Sequence, residues 1–327
     1  MRKIISKKTG ELTDDEIVQI VDGFNASMAH SHIDRNELLK KYEMGHYEYS
    51  YHSLCYEDEK LIGFISAIPY LYYYNDEVIR TALTCDIFIR EEARADFTLF
   101  SQLYKQLKEI CLKEGIVCFF GVANNNAYTY SVRILRCKEV MTLNYWILPV
   151  KIGNIIKKKW GSALNYLSIV FAFCSLWVNE LISFFFNAKV KKTLCGIQSD
   201  DSYINKRLPD GRYTNVTIKD ALCSYRITED EGIRCAYIML AAQNGVRTYK
   251  ALCRCVAYIL HHETVDMIMF NGTLNLRQAL LIKTPSRFEP RKLHLTINYL
   301  SKDYENKYRG ILEPDGLDYS LLDLDVR

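Results

Sequence analysis

The chain has 327 residues, more than a single hydrophobic core usually fills, so two domains are expected. Hydrophobic residues make up 49% and charged residues 25%, a balance that excludes a disordered chain. The net charge of +3 gives no electrostatic case for nucleic acid, and the 24 tyrosines form no RNA-binding pattern, so they read as half-buried aromatics.

Eleven cysteines form no CxxC pair, and most sit in apolar runs, as at Cys118, Cys137 and Cys235. Reduced packing thiols in a cytoplasmic protein fit this better than disulfides or zinc. The opening residues Met1 to Ile5 run directly into polar sequence, with no secretory apolar stretch.

In chain order, Thr13-Asp14-Asp15-Glu16 predicts a capped helix start with an acidic first turn, leading into an amphipathic helix over 17–24. His30 and His32 lack a third ligand at sensible spacing and read as loop histidines, so no metal is expected. Residues 47–56 alternate as a strand, Asp58-Glu59-Lys60 makes a turn, and 61–74 gives the next strand, with Pro69 predicting a bulge or an edge. A strand over 78–89 is followed by a charged loop over 90–96. A helix over 97–113 carries Leu99, Leu103, Leu107 and Ile110 on one face, and Gly115 stops it. Val117 to Phe120 reads as a buried strand. The polar turn Asn124-Asn125-Asn126, a short helix and a strand over 143–148 complete a βαβ-type unit, with polar groups at strand ends where α/β ligand sites gather.

This order, with "LIGFISAIPY" at 61–70 and "GVANNNAYTYSVRILRCKEVMTLNYWILPV" at 121–150, resembles the GNAT superfamily of acyl-CoA-dependent N-acyltransferases. It is similar in particular to tandem GNAT-like proteins of bacterial surface-polysaccharide loci. The resemblance implies an α/β (α+β) fold of two tandem GNAT-like domains, each a mixed, mostly antiparallel sheet flanked by helices. Expected boundaries are 1–150 for the first domain, 151–192 for an apolar helical linker and 193–327 for the second. The implied co-substrate is acetyl-CoA or another acyl-CoA. The implied acceptor is an amine, such as an amino sugar of a glycan precursor.

The resemblance also assigns candidate residues. A GNAT holds the CoA pyrophosphate on backbone amides before its central helix, which here corresponds to Phe88, Ile89, Arg90, Arg94, Ala95, Asp96, Phe97, Thr98 and Leu99. Arg94 fits the family's basic position, while Ala95 and Phe97 stand where glycines are expected. Either these amides grip a diphosphate, or Arg90 and Arg94 pair with Glu91, Glu92 and Asp96 on a solvated loop. Asp86, inside an apolar strand, is either the base that deprotonates the ammonium or a structural acceptor. Asn124 and Asn126 match the turn that contacts the CoA arm, although helix capping also explains them. The family's thiolate-protonating tyrosine falls on Ser131, which leaves Tyr128 and Tyr130 as the nearest substitutes.

Residues 163–186 carry only one charge, Glu180, and are long enough to span a membrane. Asn165, Ser168, Ser175, Asn179 and Ser183 nevertheless form one polar stripe at helical spacing. Packing between domains ranks first, peripheral membrane contact through 163–186 second, and a true span last; homodimerisation is left open. Lysines at 157–159 and at 189, 191 and 192 flank the run.

The second half repeats the first at an offset of 148 positions (265−117), with a central strand over 234–242, a helix over 249–261 and the pair Asn271 and Asn275 at the later turn. Its turn, Gln243 to Arg247, holds one glycine. His261-His262-Glu263 reads as charge at a helix end. Three function classes follow: an acyl-CoA-dependent N-acyltransferase, a degenerate GNAT-like binding or scaffold protein, and a tRNA-dependent aminoacyl transferase. The modest charge counts against the last.

Overall fold

The computed structural model describes all residues except 1, 28–31, 97, 124, 157–160, 231, 290, 314 and 325–327, and the side chains at 125, 126, 161, 162 and 230. In chain order the elements are β1 (Arg2–Lys8), α1 (Asp14–Ser27), α2 (Arg35–Tyr42), β2 (Tyr51–Glu57), β3 (Lys60–Tyr74), β4 (Glu77–Ile89), α3 (Leu99–Lys113) and β5 (Ile116–Ala123). They continue with α4 (Asn125–Arg133), β6 (Lys138–Thr142), β7 (Tyr145–Pro149), α5 (Ile152–Ile156), α6 (Gly161–Phe185), β8 (Cys195–Ile197), α7 (Asp201–Arg207) and β9 (Thr214–Ile218). The last are β10 (Ala221–Asp230), β11 (Ile233–Gln243), β12 (Val246–Arg247), α8 (Tyr249–His262), β13 (Met267–Asn271), β14 (Ile282–Lys283), β15 (His294–Tyr299) and α9 (Lys302–Lys307).

Two mixed sheets, each flanked by helices, carry the chain. The first runs β1-β2-β3-β4-β5-β15-β6, antiparallel except where β4 meets β5, with β8 on the far end of β3. The second runs β14-β7-β13-β11-β10-β9, with β11 and β13 parallel and β12 folded back on β11. The parallel pair, flanked by an antiparallel strand, recurs in both, which is the internal repeat expected from the sequence.

The strand that flanks each parallel pair comes from the other half of the chain. β15 lies on β5, registering His294 with Ala123 and Tyr299 with Cys118, whereas β7 lies on β13. The compact units are therefore discontinuous: 1–142 with 194–198 and 292–317, against 143–193 with 199–291 and 318–327. This differs from the contiguous boundaries 1–150, 151–192 and 193–327. β7 is a short apolar run, Tyr145 to Pro149, and β15 alternates polar and apolar residues from His294 to Tyr299, so either pattern reveals a strand but not its sheet.

In the first unit, the capped start of α1 is present: the Glu16 amide donates to the Thr13 hydroxyl, and the Thr13 amide donates to the Glu16 carboxylate. The amphipathic face of α3 buries Leu99, Leu103 and Leu107 over the sheet, and Gly115 ends the helix at φ +78°. Pro69 makes no bulge. β2 leaves β3 at Ala67 and β8 joins at Tyr72, so the missing N–H falls in a stretch whose only ladder partner is β4.

In the second unit, α6 and α8 pack over β7, β10 and β11 in one apolar core. The buried Arg207 of α7 donates from Nε to the Leu322 carbonyl, and the Tyr203 hydroxyl donates to the same oxygen, which pins the closing segment.

Candidate functional site

The site begins with a bulge in β4. Ser66 faces Cys85 and Phe64 faces Phe88, so β4 spends one extra residue there. Asp86 absorbs it at φ +51°, a left-handed conformation that aspartate tolerates better than most side chains. Its carboxylate accepts from the Lys41 ammonium at 2.7 Å, and both side chains are buried. Beyond the bulge the strand presents its side chains to opposite faces from before. Phe88 then packs so closely beneath α1 that a Cβ on Gly23 would come within 2.4 Å of its ring.

β4 and β5 pair from Arg80 and Ile116 to Leu83 and Phe120, and no further. Where they part, the Thr84 hydroxyl donates to the Phe120 carbonyl at 3.1 Å. A cavity of about 480 Å³ opens between the splayed ends. Its walls are Thr84, Ile87, Phe88 and Ile89 of β4, Gly121 to Ala123 of β5, Ser27 of α1 on one side of the sheet, and Phe100, Tyr104, Tyr130 and Ser131 of α3 and α4 on the other. Thr296, on the exchanged strand β15, closes the floor by donating to the Gly121 carbonyl at 3.1 Å. Gly121 is small for a reason: a Cβ there would meet the Thr84 and Thr296 hydroxyls at 3.2 and 3.4 Å.

Of the residues expected at the site, Phe88, Ile89, Arg94, Asp96 and Tyr130 do line the cavity. Phe97 and Asn124 lie outside the described residues, as does the side chain of Asn126. Asp86 is not in the wall; it sits in the buried pair with Lys41 and holds the bulge. Arg90 faces away, donating from Nε to the Leu61 carbonyl at 2.7 Å. Leu99 belongs to the core, and neither Ala95 nor Thr98 reaches the cavity.

The loop before α3 uses its own amides. Arg94 N–H donates to Glu91, Asp96 N–H to Ala93, and Leu99 N–H to Asp96 carbonyls, while Thr98 N–H donates to the Asp96 carboxylate at 2.9 Å. The Thr98 hydroxyl, the Thr98 amide and then Arg2 hold the Asp96 carboxyl down at about 2. A carboxylate therefore occupies the helix N-terminus where a phosphate would sit. Neither described arginine pairs with its acidic neighbours, because Arg94 donates from Nε to the Ile89 carbonyl at 3.1 Å.

A second polar cluster stands at the mouth. His294 faces Ala123 across the ladder, two pairs beyond Thr296 and Gly121; directly opposed residues share a face, so it lies on the same face as Ala123 in the cavity wall. Its Nδ1 donates to the Glu139 carboxylate at 2.8 Å; a carboxylate only accepts, so Nε2 keeps its lone pair when the ring is neutral. Burial pushes the Glu139 carboxyl up, but bonds from Tyr128, His294 and Thr142 outweigh it and hold the carboxyl below its ordinary value. Tyr128 stacks on the His294 ring with centroids 4.0 Å apart instead of facing the cavity. Tyr130 packs edge-on against Phe100, and burial raises its phenol. Glu139 and His294 are 155 residues apart, and no local sequence signal joins them.

The second repeat uses its corresponding turn to reverse the chain. Asn244 and Gly245, at φ +50° and +76°, fold β12 back onto β11, and the Thr248 side chain caps α8 by accepting from the Ala251 amide. Among the described residues no cluster of metal-ligating side chains is found.

No known family's sequence profile matches the chain, and no curated protein matches it. Solved structures do. A conserved protein of Enterococcus faecalis V583, a probable N-acyltransferase, is 11% identical with a TM-score of 0.57, over 93% of this chain and 74% of that one. A GCN5-related N-acetyltransferase from Anabaena variabilis ATCC 29413 is 11% identical with a TM-score of 0.54, over 91% and 73%. Another, from Kribbella flavida, is 8% identical with a TM-score of 0.58, over 91% and 71%. With its splayed parallel pair and duplicated sheet, this chain has the GCN5-related N-acetyltransferase fold.

Proposed function

We propose that the first unit transfers an acyl group from an acyl thioester, acyl-CoA in the first instance, to an amine. The observation that carries this is the parting of β4 and β5 beyond Leu83 and Phe120, with a cavity of about 480 Å³ between them. A thin acyl-pantetheine arm suits such a slot, because both parted strands line it and Phe100, Phe119 and Tyr104 supply apolar walls. The diphosphate end fits less well, since Asp96 stands at the helix N-terminus. Arg94 is the basic side chain on the cavity wall that remains for it.

The thioester supplies the activated carbonyl carbon. The amine nitrogen bonds to it, the carbon–sulfur bond breaks, the amine proton leaves to a base and the thiolate takes up a proton. With Asp86 enclosed, the Glu139–His294 pair is the proton acceptor we assign, acting on an amine at the cavity mouth, directly or through one water. Tyr130, whose raised phenol stays protonated at neutral pH, is the proton donor. The acceptor we favour is an amino sugar of a glycan precursor, a choice that rests on sequence resemblance. Eleven free thiols suit a reducing, cytoplasmic location.

A second reading has its own support. An acidic side chain in the anion position, with the amides of Arg94, Asp96, Thr98 and Leu99 already bonded, suits a GNAT-shaped scaffold that has lost CoA. Thermal denaturation with acetyl-CoA separates the two: at a hundred times its dissociation constant a ligand adds about 2.7 kcal/mol. The enzyme reading expects a shift that Gly121→Leu abolishes by filling the slot. No shift with short or long acyl-CoA leaves the scaffold.

A further inference from the structure

α6 is inverted relative to an ordinary surface helix. Its polar stripe faces inward: Asn179 and Ser183 are 3% and 2% exposed, and the Ser168 hydroxyl donates to the Val150 carbonyl at 2.8 Å. The Tyr249 hydroxyl of α8 donates to the Asn179 side chain, and Ala172 and Leu176 complete the seam. The apolar residues point outward. Leu167, Trp177 and Phe184 are 64%, 68% and 72% exposed, and Tyr166, Phe171 and Leu181 share that surface. A helix enclosed by protein on all sides would not leave these side chains in water, and isolated soluble surfaces rarely carry so large an apolar patch.

The helix is 25 residues long, about 37 Å at 1.5 Å per residue. By length and composition it could cross a membrane. Its lengthwise seam with α8 and the second unit's core rules that out for this fold, because a span would carry α8 and its charged residues into hydrocarbon.

We propose that α6 docks the chain on an anionic lipid bilayer, lying in the plane of the surface with Leu167, Phe171, Trp177, Leu181 and Phe184 in the interfacial layer. Charge selects lipid over a second copy of the chain. Lysines precede the helix at 157–159 and follow it at 189, 191 and 192, the latter three exposed. Two copies meeting through this face would set lysine clusters against lysine clusters whether the helices ran parallel or antiparallel, whereas lipid phosphates attract both ends. Aromatic side chains along the face suit the headgroup boundary, where an apolar ring and a polar rim are both accommodated.

The test is flotation of the full chain with vesicles of phosphatidylcholine alone and of equimolar phosphatidylcholine and phosphatidylglycerol. Binding to the anionic vesicles, weakened by high salt, is expected. The triple variant Lys189→Gln, Lys191→Gln, Lys192→Gln should lower the partition coefficient by about fivefold per lysine. Leu167→Glu combined with Trp177→Glu should abolish binding while leaving the melting temperature unchanged, since both side chains are exposed. Trp177 fluorescence should shift to the blue on anionic vesicles. The proposal is overturned if neither vesicle retains the chain, if the glutamate variant floats as well as the wild type, or if light scattering shows a dimer that the same glutamates dissociate.

Discussion

The Lys41–Asp86 pair offers the sharpest test of how the cleft is built. Both side chains are buried with 2.7 Å between nitrogen and oxygen, and Asp86 occupies the bulge at φ +51°. Lys41→Met leaves a buried carboxylate without its cation, which costs about 3–5 kcal/mol. For a unit of this size that lowers the melting temperature by roughly 6–20 °C, at about 2–4 °C per kcal/mol. Asp86→Asn keeps a residue that tolerates the left-handed region but removes the charge, leaving the ammonium buried. The double variant Lys41→Met, Asp86→Asn removes both charges, so it should recover a large part of the single-variant loss. Urea denaturation followed by circular dichroism gives the double-mutant cycle, and acyl-transfer rates are taken on the same four proteins. The structural assignment expects stability and rate to fall and recover together. It would be falsified if Asp86→Asn cut turnover by about a hundredfold or more at unchanged stability, the mark of a lost general base.

Other perturbations probe the remaining parts. Burial drives the His52 imidazole down to about 3, so between pH 6.5 and 3 the unfolded chain binds a proton that the folded chain does not. Stability is therefore full above about pH 6.5 and falls below it, by about 3 kcal/mol at pH 4.5 from this group. His52→Gln should flatten that part of the stability–pH profile, and parallel profiles would refute the assignment. Asp96→Asn should tighten acetyl-CoA binding severalfold at low ionic strength, with the gain fading as salt rises; calorimetry showing unchanged or weaker binding would remove Asp96 as an electrostatic obstacle. His294→Gln should lower turnover by about a hundredfold while leaving the acetyl-CoA dissociation constant in place. A variant that turns over normally across the pH range would exclude His294 as the proton acceptor.

Local order was legible wherever neighbouring residues decide it. The Thr13 cap, the apolar face of α3, the Gly115 stop and the Asp58-Glu59 turn each depend on side chains within a turn or two. The inward stripe of α6 was visible as a stripe, but periodicity alone does not say which face meets protein. Asp86 shows the same boundary: one acid in an apolar strand is compatible with a base or with a buried ion pair, and only the fold brings Lys41, 45 positions earlier, against it.

What the amino-acid order determined by itself was the set of strands and helices, their repetition, and the residues around 84–96 and 121–131 where a cleft would form. Only the tertiary structure decided which sheet received β7 and which β15, and with that choice brought Thr296 to the first unit's cavity and His294 opposite Ala123 in its wall. The physical reason is that hydrophobic alternation specifies a strand and its buried face, whereas the identity of its ladder partner depends on the backbone edge that packing leaves open.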